Sequence, residues 1–277
     1  MRHLRNHFVQ VGLWTFGITA VLGVVVWSLP WEPEAASTQA GSIDTLYDVL
    51  ALVSAFVLAL VTSILIVSVI HFRKRGPDDL RDGEPIHGHT NLEIVWTTIP
   101  ALLMVGAAVY SGLVLANIEE TKADARTVNV TGEQFVWTFE YQQEDIRAGE
   151  LHLVEDRPYL FKINAKDVIH SFWVPQFRMK KDAVPGLTTD VRVTPTRKGR
   201  YSVVCTELCG LGHSTMRATV VVEDQASFDR WVQRVESGDV APPGGVVSQQ
   251  DGPAAGTQRQ QETGAGAEPS ESGAVRP

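Results

Sequence analysis

Only two cysteines, Cys205 and Cys209, occur in 277 residues, so no framework of several disulfides organises the fold. The tail after Gly238 has no cysteine at all, which excludes haem attachment there through a Cys-x-x-Cys-His motif. That tail also lacks large apolar side chains, and its Gly, Pro, Ser, Gln, Ala and Glu composition reads as disorder over 238–277. Excess positive charge is missing: 24 Lys and Arg stand against 32 Asp and Glu, net −8, and no nucleic acid partner is expected. Charge of either sign is absent from Phe8 to Leu29, Val49 to Ile70 and Ile94 to Ala116, runs of 22 or 23 residues. As helices, such runs cross a hydrocarbon core of about 30 Å.

The same scarcity orients the chain. Segment 30–45 has no Lys or Arg, whereas Arg73, Lys74, Arg75 and Arg81 crowd the 72–90 loop. Cations concentrate on the cytoplasmic side, so everything after about Asn117 is expected to face outward. The first run is ambiguous: Arg2 and Arg5, the apolar stretch and Ala35-Ala36-Ser37 suit a retained helix or a secretory signal. The predicted organisation is therefore an N-terminal helix or signal (1–30), an outer linker (31–45), a transmembrane hairpin (46–117), an outer domain (118–237) and the tail (238–277).

The outer domain reads as all-β. Arg126 to Gly132 alternates around Val128 and Val130, and Gln134 to Tyr141 places Phe135, Trp137, Phe139 and Tyr141 on one face. Leu160 to Asn164, Asp190 to Thr194, Gly199 to Val204 and Thr215 to Val222 add short strands between turn signals, the spacing of a sandwich. Phe228, Trp231, Val232 and Val235 recur at helical spacing within Asp224 to Val235, predicting a short helix packed on the domain.

The chemistry concentrates in Cys205-Thr-Glu-Leu-Cys209-Gly-Leu-Gly-His213-Ser-Thr-Met216. Two thiolates, an imidazole and a thioether form a donor set that favours copper over harder ions. Asp167-Val-Ile-His170-Ser-Phe-Trp-Val-Pro175 supplies another imidazole. A mononuclear blue-copper site uses one Cys, two His and an axial Met, so the surplus cysteine points to two metals. Alone, the cysteines would suggest a disulfide, Met216 core filler and His170 a buried histidine; the combination favours metal. A catalytic metal keeps an open position, and this donor list leaves none, which suits an electron relay. Gly210 and Gly212 suit a loop bending tightly around ligands, as they would an ordinary turn.

These motifs resemble the copper A subunit, subunit II, of haem-copper cytochrome c oxidases over about residues 43–225. The resemblance implies transmembrane helices followed by a cupredoxin-like Greek-key sandwich. It implies a binuclear copper A centre in which Cys205 and Cys209 bridge, His170 and Met216 complete one copper, and His213 with the Glu207 carbonyl completes the other. The Glu207 carboxylate would bind a magnesium or manganese ion shared with subunit I, and Asp182 matches a segment facing that interface. Cytochrome c would deliver electrons near Phe135, Trp137 and Tyr141, with Phe135 standing where many members have tryptophan. Glu133, Glu140, Glu144, Asp145 and Glu150 face only Arg147 locally, and would steer a basic donor. Glu93 matches a proton-channel mouth, while Thr90-x-x-Glu93 reads equally as a capping box. Electrons would pass to haem in subunit I, the site of oxygen reduction and proton pumping, with subunit III and lipid as further neighbours in a prokaryotic plasma membrane or equivalent inner membrane. A nitric oxide reductase with a similar copper A subunit and a membrane-tethered copper carrier are the rival readings; related quinol oxidases lack these ligands.

Overall fold

The computed structural model describes residues 2–74, 76, 85–120 and 122–240. The tail from 241, Arg75, Arg81 and the rest of 77–84, and the side chains of Arg2 and Arg5, lie outside the described residues. Three helices lead the chain: α1 (Arg2–Ser28), α2 (Thr38–Phe72) and α3 (Thr90–Ile118). Each is long and apolar enough to cross a membrane. The first run is thus a helix, and it lies antiparallel along α2, with the His7 ring 4.6 Å from His71 and 5.4 Å from Phe72. Ala55, Ala59, Ser63 and Val67 are buried on α2, one every four residues and mostly small, which lets helix backbones approach closely. On α3 only Val114 is buried.

Two helix starts differ from expectation. Helix α2 begins at Thr38, inside the segment 31–45 expected to be linker, because Ser37 caps it: its Oγ accepts from Ala40 N–H at 3.2 Å and donates to Phe177 O at 3.0 Å. Its 35 residues span about 52 Å at about 1.5 Å per residue. Helix α3 is capped by His89 rather than Thr90. His89 Nδ1 accepts from Leu92 N–H and Glu93 Oε1 accepts from His89 N–H, at 3.2 and 3.0 Å, so the reciprocal cap exists one residue earlier than the Thr90 motif suggested.

The remainder is a β-sandwich. Its strands are β1 (Arg126–Glu133), β2 (Val136–Tyr141), β3 (Ile146–Ala148), β4 (Leu151–Val154), β5 (Tyr159–Ala165), β6 (His170–Val174), β7 (Met179–Ala183), β8 (Thr189–Val193), β9 (Gly199–Cys205) and β10 (Arg217–Glu223), followed by α4 (Gln225–Glu236). Two five-stranded sheets form, ordered β3-β2-β1-β5-β8 and β4-β10-β9-β6-β7. The pairs β1/β5 and β4/β10 are parallel and the others antiparallel. Chain crossings between sheets produce these parallel pairs, as in the expected cupredoxin-like sandwich.

Alternation drives the packing. On β5, Tyr159, Phe161, Ile163 and Ala165 are buried and the residues between them are not. Phe139 and Phe161 both meet Phe172 with ring centroids 6.5 and 5.8 Å apart; burying each such ring contributes about 1.5–3 kcal/mol. Asp224 caps α4 by accepting from Ser227 N–H, and Phe228 and Trp231 are buried beneath that helix. Trp231 stacks on His152 at 4.1 Å and meets Tyr141 at 5.3 Å.

The α1–α2 connection is fastened to the sandwich. Ala36 N–H donates to Gln176 O, Thr38 N–H to Thr194 O and Thr196 N–H to Ala36 O. The Arg178 guanidinium, 9% exposed, pairs with Glu32 at 3.0 Å and Asp44 at 2.7 Å, and donates to Pro33 O and Pro175 O. Burial raises the Glu32 pKa, and Asp44 beside it adds to the rise against the pull of Arg178. Linker and sandwich therefore share one side of the helices. The strand registers place Arg126, Tyr159 and Val193 together at the end where linker and α3 arrive. The turn after β1 and the loop after β5 lie at the opposite end, where Gly132 pairs with Ala165.

Candidate metal centre

At that opposite end, β6 begins with His170 and β9 ends with Cys205. The loop after β9 carries Cys209, a short 3-10 turn from His213 to Thr215, and then Met216. Ligating atoms of His170, Cys205 and Cys209 all lie within 4.8 Å of one another. Cys205 Sγ stands 3.9 Å from His170 Nδ1, 3.9 Å from Cys209 Sγ and 3.4 Å from the Glu207 carbonyl oxygen. Cys209 Sγ stands 3.5 Å from His213 Nδ1 and 3.7 Å from Met216 Sδ. All six donors that the sequence singled out thus converge, although 46 positions separate His170 from Met216.

The set fits soft metals. The cysteines are not joined, and a disulfide requires sulfurs about 2.05 Å apart. Two sulfurs on one metal at about 2.3 Å stand at most about 4.6 Å apart, a limit that 3.9 Å satisfies. His170 and Met216 are fully buried, Cys205 and Cys209 nearly so. Burial and the neighbouring Cys205 push the Cys209 thiol up to about 11, so without metal it is protonated at neutral pH. A bound cation reverses that preference.

Sequence reasoning missed the residues that hold the ligands. Asp167 Oδ1 accepts from His170 Nε2 at 2.8 Å, which fixes the proton on Nε2 and leaves the Nδ1 lone pair toward Cys205. Burial alone would raise the Asp167 pKa, but hydrogen bonds from His170, Gln134 N–H and Val168 N–H outweigh it and hold the carboxyl at about 2. Gln134 ties the two ligand segments together. Its N–H donates to Asp167 Oδ2 at 2.7 Å and its side-chain amide donates to Cys209 O. A carboxylate three residues before a ligating histidine was the available signal for Asp167. Gln134 gave none, since its partners lie 33 and 75 residues away.

The glycines serve different needs. Gly210 adopts φ +131, a conformation side chains disfavour. Gly212 has an ordinary backbone, but a Cβ there would sit 2.5 Å from the Phe135 ring, so it permits close approach. Phe135 thereby lies against the backbone of the ligand loop, partly buried.

The other singled-out aromatics sit elsewhere. Trp137 and Tyr141 are buried: strand alternation turns them into the core, and of the three aromatics only Phe135, preceding β2, reaches the surface. Trp137 packs edge-on to His170 at 6.0 Å. Tyr141 OH donates to His152 O at 2.9 Å, and burial raises its pKa. Glu93 is exposed at the start of α3, far in sequence from the cluster. The Glu207 side chain and Asp182 are exposed; Asp182 accepts from Ser171 Oγ at 2.7 Å, beside His170. Among the described residues no second group of three potential ligands forms, so a hard-metal site at Glu207 would need groups from another subunit.

The expected acidic face carries ion pairs that arrive from outside its own stretch. Glu133 pairs with Lys166 at 2.7 Å, Glu140 with Arg147 at 3.3 Å, Glu144 with Arg126, and Glu150 with Arg200 at 3.6 Å. Of the five carboxylates only Asp145 lacks an ion pair among the described residues.

Residues 23–114 match the family model described as cytochrome C oxidase subunit II, transmembrane domain, and residues 146–224 that described as its periplasmic domain. A Thermostichus vulcanus protein named cytochrome c oxidase subunit 2 is 32% identical across 76% of this chain and 80% of its own length. One of that name from Synechocystis sp. is 31% identical across 78% and 81%. Among solved structures, the periplasmic domain of subunit II of cytochrome oxidase of Bradyrhizobium japonicum is 26% identical, with TM-score 0.41, over 43% of this chain and 97% of that one.

Proposed function

Because the chain belongs to the cytochrome c oxidase subunit II family, we propose that His170, Cys205, Glu207, Cys209, His213 and Met216 hold a binuclear copper A centre fed by cytochrome c. The protein is a membrane-embedded electron-transfer subunit of a haem-copper oxidase, working with other oxidase subunits. When bound, the copper pair supplies a one-electron store, filled by the donor and emptied toward haem in subunit I, where oxygen is reduced. The observation that carries this reading is six soft and borderline donors converging on two unjoined thiols 3.9 Å apart.

The chain's own residues do the rest. Asp167 orients His170, Gln134 joins the two ligand segments, and Trp137 closes the inner wall against water. Burial of His170 and Met216 favours permanent occupancy over metal delivery, which needs exchangeable ligands. A magnesium or manganese ion shared between Glu207 and subunit I, contact with subunit III and lipid, and a placement of the sandwich outside a prokaryotic plasma membrane complete the proposal. Glu93 is proposed as a channel mouth that also caps α3.

Electron paramagnetic resonance with copper quantitation on the detergent-solubilised chain tests the centre. Two coppers per chain sharing one unpaired electron are expected, and Cys205→Ser should abolish that signal. One copper with a mononuclear spectrum would overturn the assignment.

A further inference from the structure

Gly132 has no local reason to be glycine. It lies inside β1, paired with Trp137 of β2 on one side and Ala165 of β5 on the other. Its φ falls outside the left-handed region that favours glycine, and its carbonyl accepts from Lys166 N–H at 3.0 Å as any strand residue could. Glycine weakens a strand interior, where it commonly marks the close approach of another group.

The group that approaches is the His170 ring. A Cβ at position 132 would sit 3.0 Å from His170 Cδ2, 3.2 Å from His170 Cγ and 3.1 Å from Trp137 Cζ3, whereas carbon atoms pack best at about 3.5–4.0 Å. Something would have to give by about 0.5 Å. Neither ring has room to do so. His170 is fully buried, its Nε2 is held by Asp167 at 2.8 Å, and its strand is paired with β7 and β9. Trp137 is buried too, its ring centroid 5.7 Å from that of Phe172. The other imidazole is held less closely: His213 is half-buried in its 3-10 turn, and among the described residues no carboxylate or carbonyl receives its Nε2.

Resting on the copper reading, we propose that Gly132 is a positioning residue for the metal centre, the bare backbone against which the His170 ring is seated. Asp167 sets the rotation of that ring and Gly132 sets its depth. A metal site keeps its geometry when its supporting groups hold the ligands to within about 0.5 Å, the displacement that one methyl group at position 132 would impose.

Two measurements on the full chain test the seat. In the copper-free chain, a double-mutant cycle combines Gly132→Ala with His170→Ala. Gly132→Ala should lower the denaturant midpoint in the parent. In the His170→Ala background it should leave the midpoint level or raise it, because without the ring the added methyl only restricts the unfolded chain. Where Gly132→Ala alone yields no folded chain, recovery of folding on adding His170→Ala supports the seat. No loss in the parent, equal losses in both backgrounds, or a double variant that fails to fold overturns it. In the copper-loaded chain, Gly132→Ala should hold copper at least about tenfold more weakly, with the paramagnetic resonance hyperfine pattern and the reduction potential moved from the parent's values. Val130→Ala truncates a fully buried side chain on the same strand; it should lower stability yet leave affinity within twofold and pattern and potential unmoved. Parent-like affinity and spectrum in Gly132→Ala, or equal changes in Val130→Ala, overturn the proposal. Failure of the copper reading is separate: the parent itself then lacks the two-copper signal, while the copper-free cycle still reports on the ring.

Discussion

Replacing Asp167 with asparagine tests whether second-layer geometry sets metal affinity. The carboxylate accepts from His170 Nε2 at 2.8 Å, Gln134 N–H at 2.7 Å and Val168 N–H at 2.7 Å. An asparagine amide retains one acceptor oxygen and turns a donor toward the other partner, so His170 or Gln134 loses its acceptor. A hydrogen bond to a charged group contributes about 1.5–3 kcal/mol. Loss of such an orienting partner lowers metal affinity about 10–100-fold, or about 1.4–2.7 kcal/mol, and the two ranges agree. Copper titration against a competing chelator reads the ratio directly. Because Asp167 is held at about 2, its stabilisation is fully present above the ordinary carboxylate range and is lost only as pH falls toward 2. The deficit in Asp167→Asn should therefore be flat from pH 5 to 8. Affinities within twofold of the parent, or a deficit that vanishes at pH 5, would refute the reasoning.

Other outcomes follow from the same contacts. Arg178→Ala leaves Glu32 and Asp44 facing each other without their cation, a loss of about 3 kcal/mol; a glutamate-specific protease should then cut at Glu32 or Glu34 much faster, and equal cleavage rates would count against the clamp. Trp231→Ala empties a fully buried site stacked on His152 and should destabilise the outer domain by about 3–5 kcal/mol, read by denaturant unfolding; a shift under about 1 kcal/mol would show that α4 is dispensable. Copper loading at pH 7 should release at least one proton per chain, because burial and Cys205 hold the Cys209 thiol at about 11. An indicator dye in weak buffer measures this, and no release would mean the thiol was already ionised.

Much of the site was legible because it is local. Cys205, Cys209, His213 and Met216 share one loop, and their donor chemistry alone selects the metal. His170 was singled out by its chemistry, but nothing in the chain between them states that β6 and β9 are neighbours, so the sequence could not say that it reaches the cysteines. The β2 alternation identified one face containing Trp137, Phe139 and Tyr141 but not that it points inward, which only the packing of the two sheets decides. The partners of the acidic stretch were hidden for a related reason: local charge counting sees Arg147 but not Lys166, Arg126 or Arg200, which arrive through strand pairing and loop packing. The helix spans were plain from hydropathy. The start of α2 was not, because Ser37 becomes a cap only when Phe177 O and the buried surroundings of Ala36 are in place.

The Arg178 clamp makes the sandwich a lever arm. Its fulcrum is the joint between the projecting end of α2 and the strand ends near Val193, and the copper loops ride at the other end, about one strand of seven residues, or about 23 Å, away. A rocking of only about 5° at the joint would swing those loops by about 2 Å at that reach. Two carboxylates and two carbonyls gripping one guanidinium thus fix the stance of loops that none of them touches.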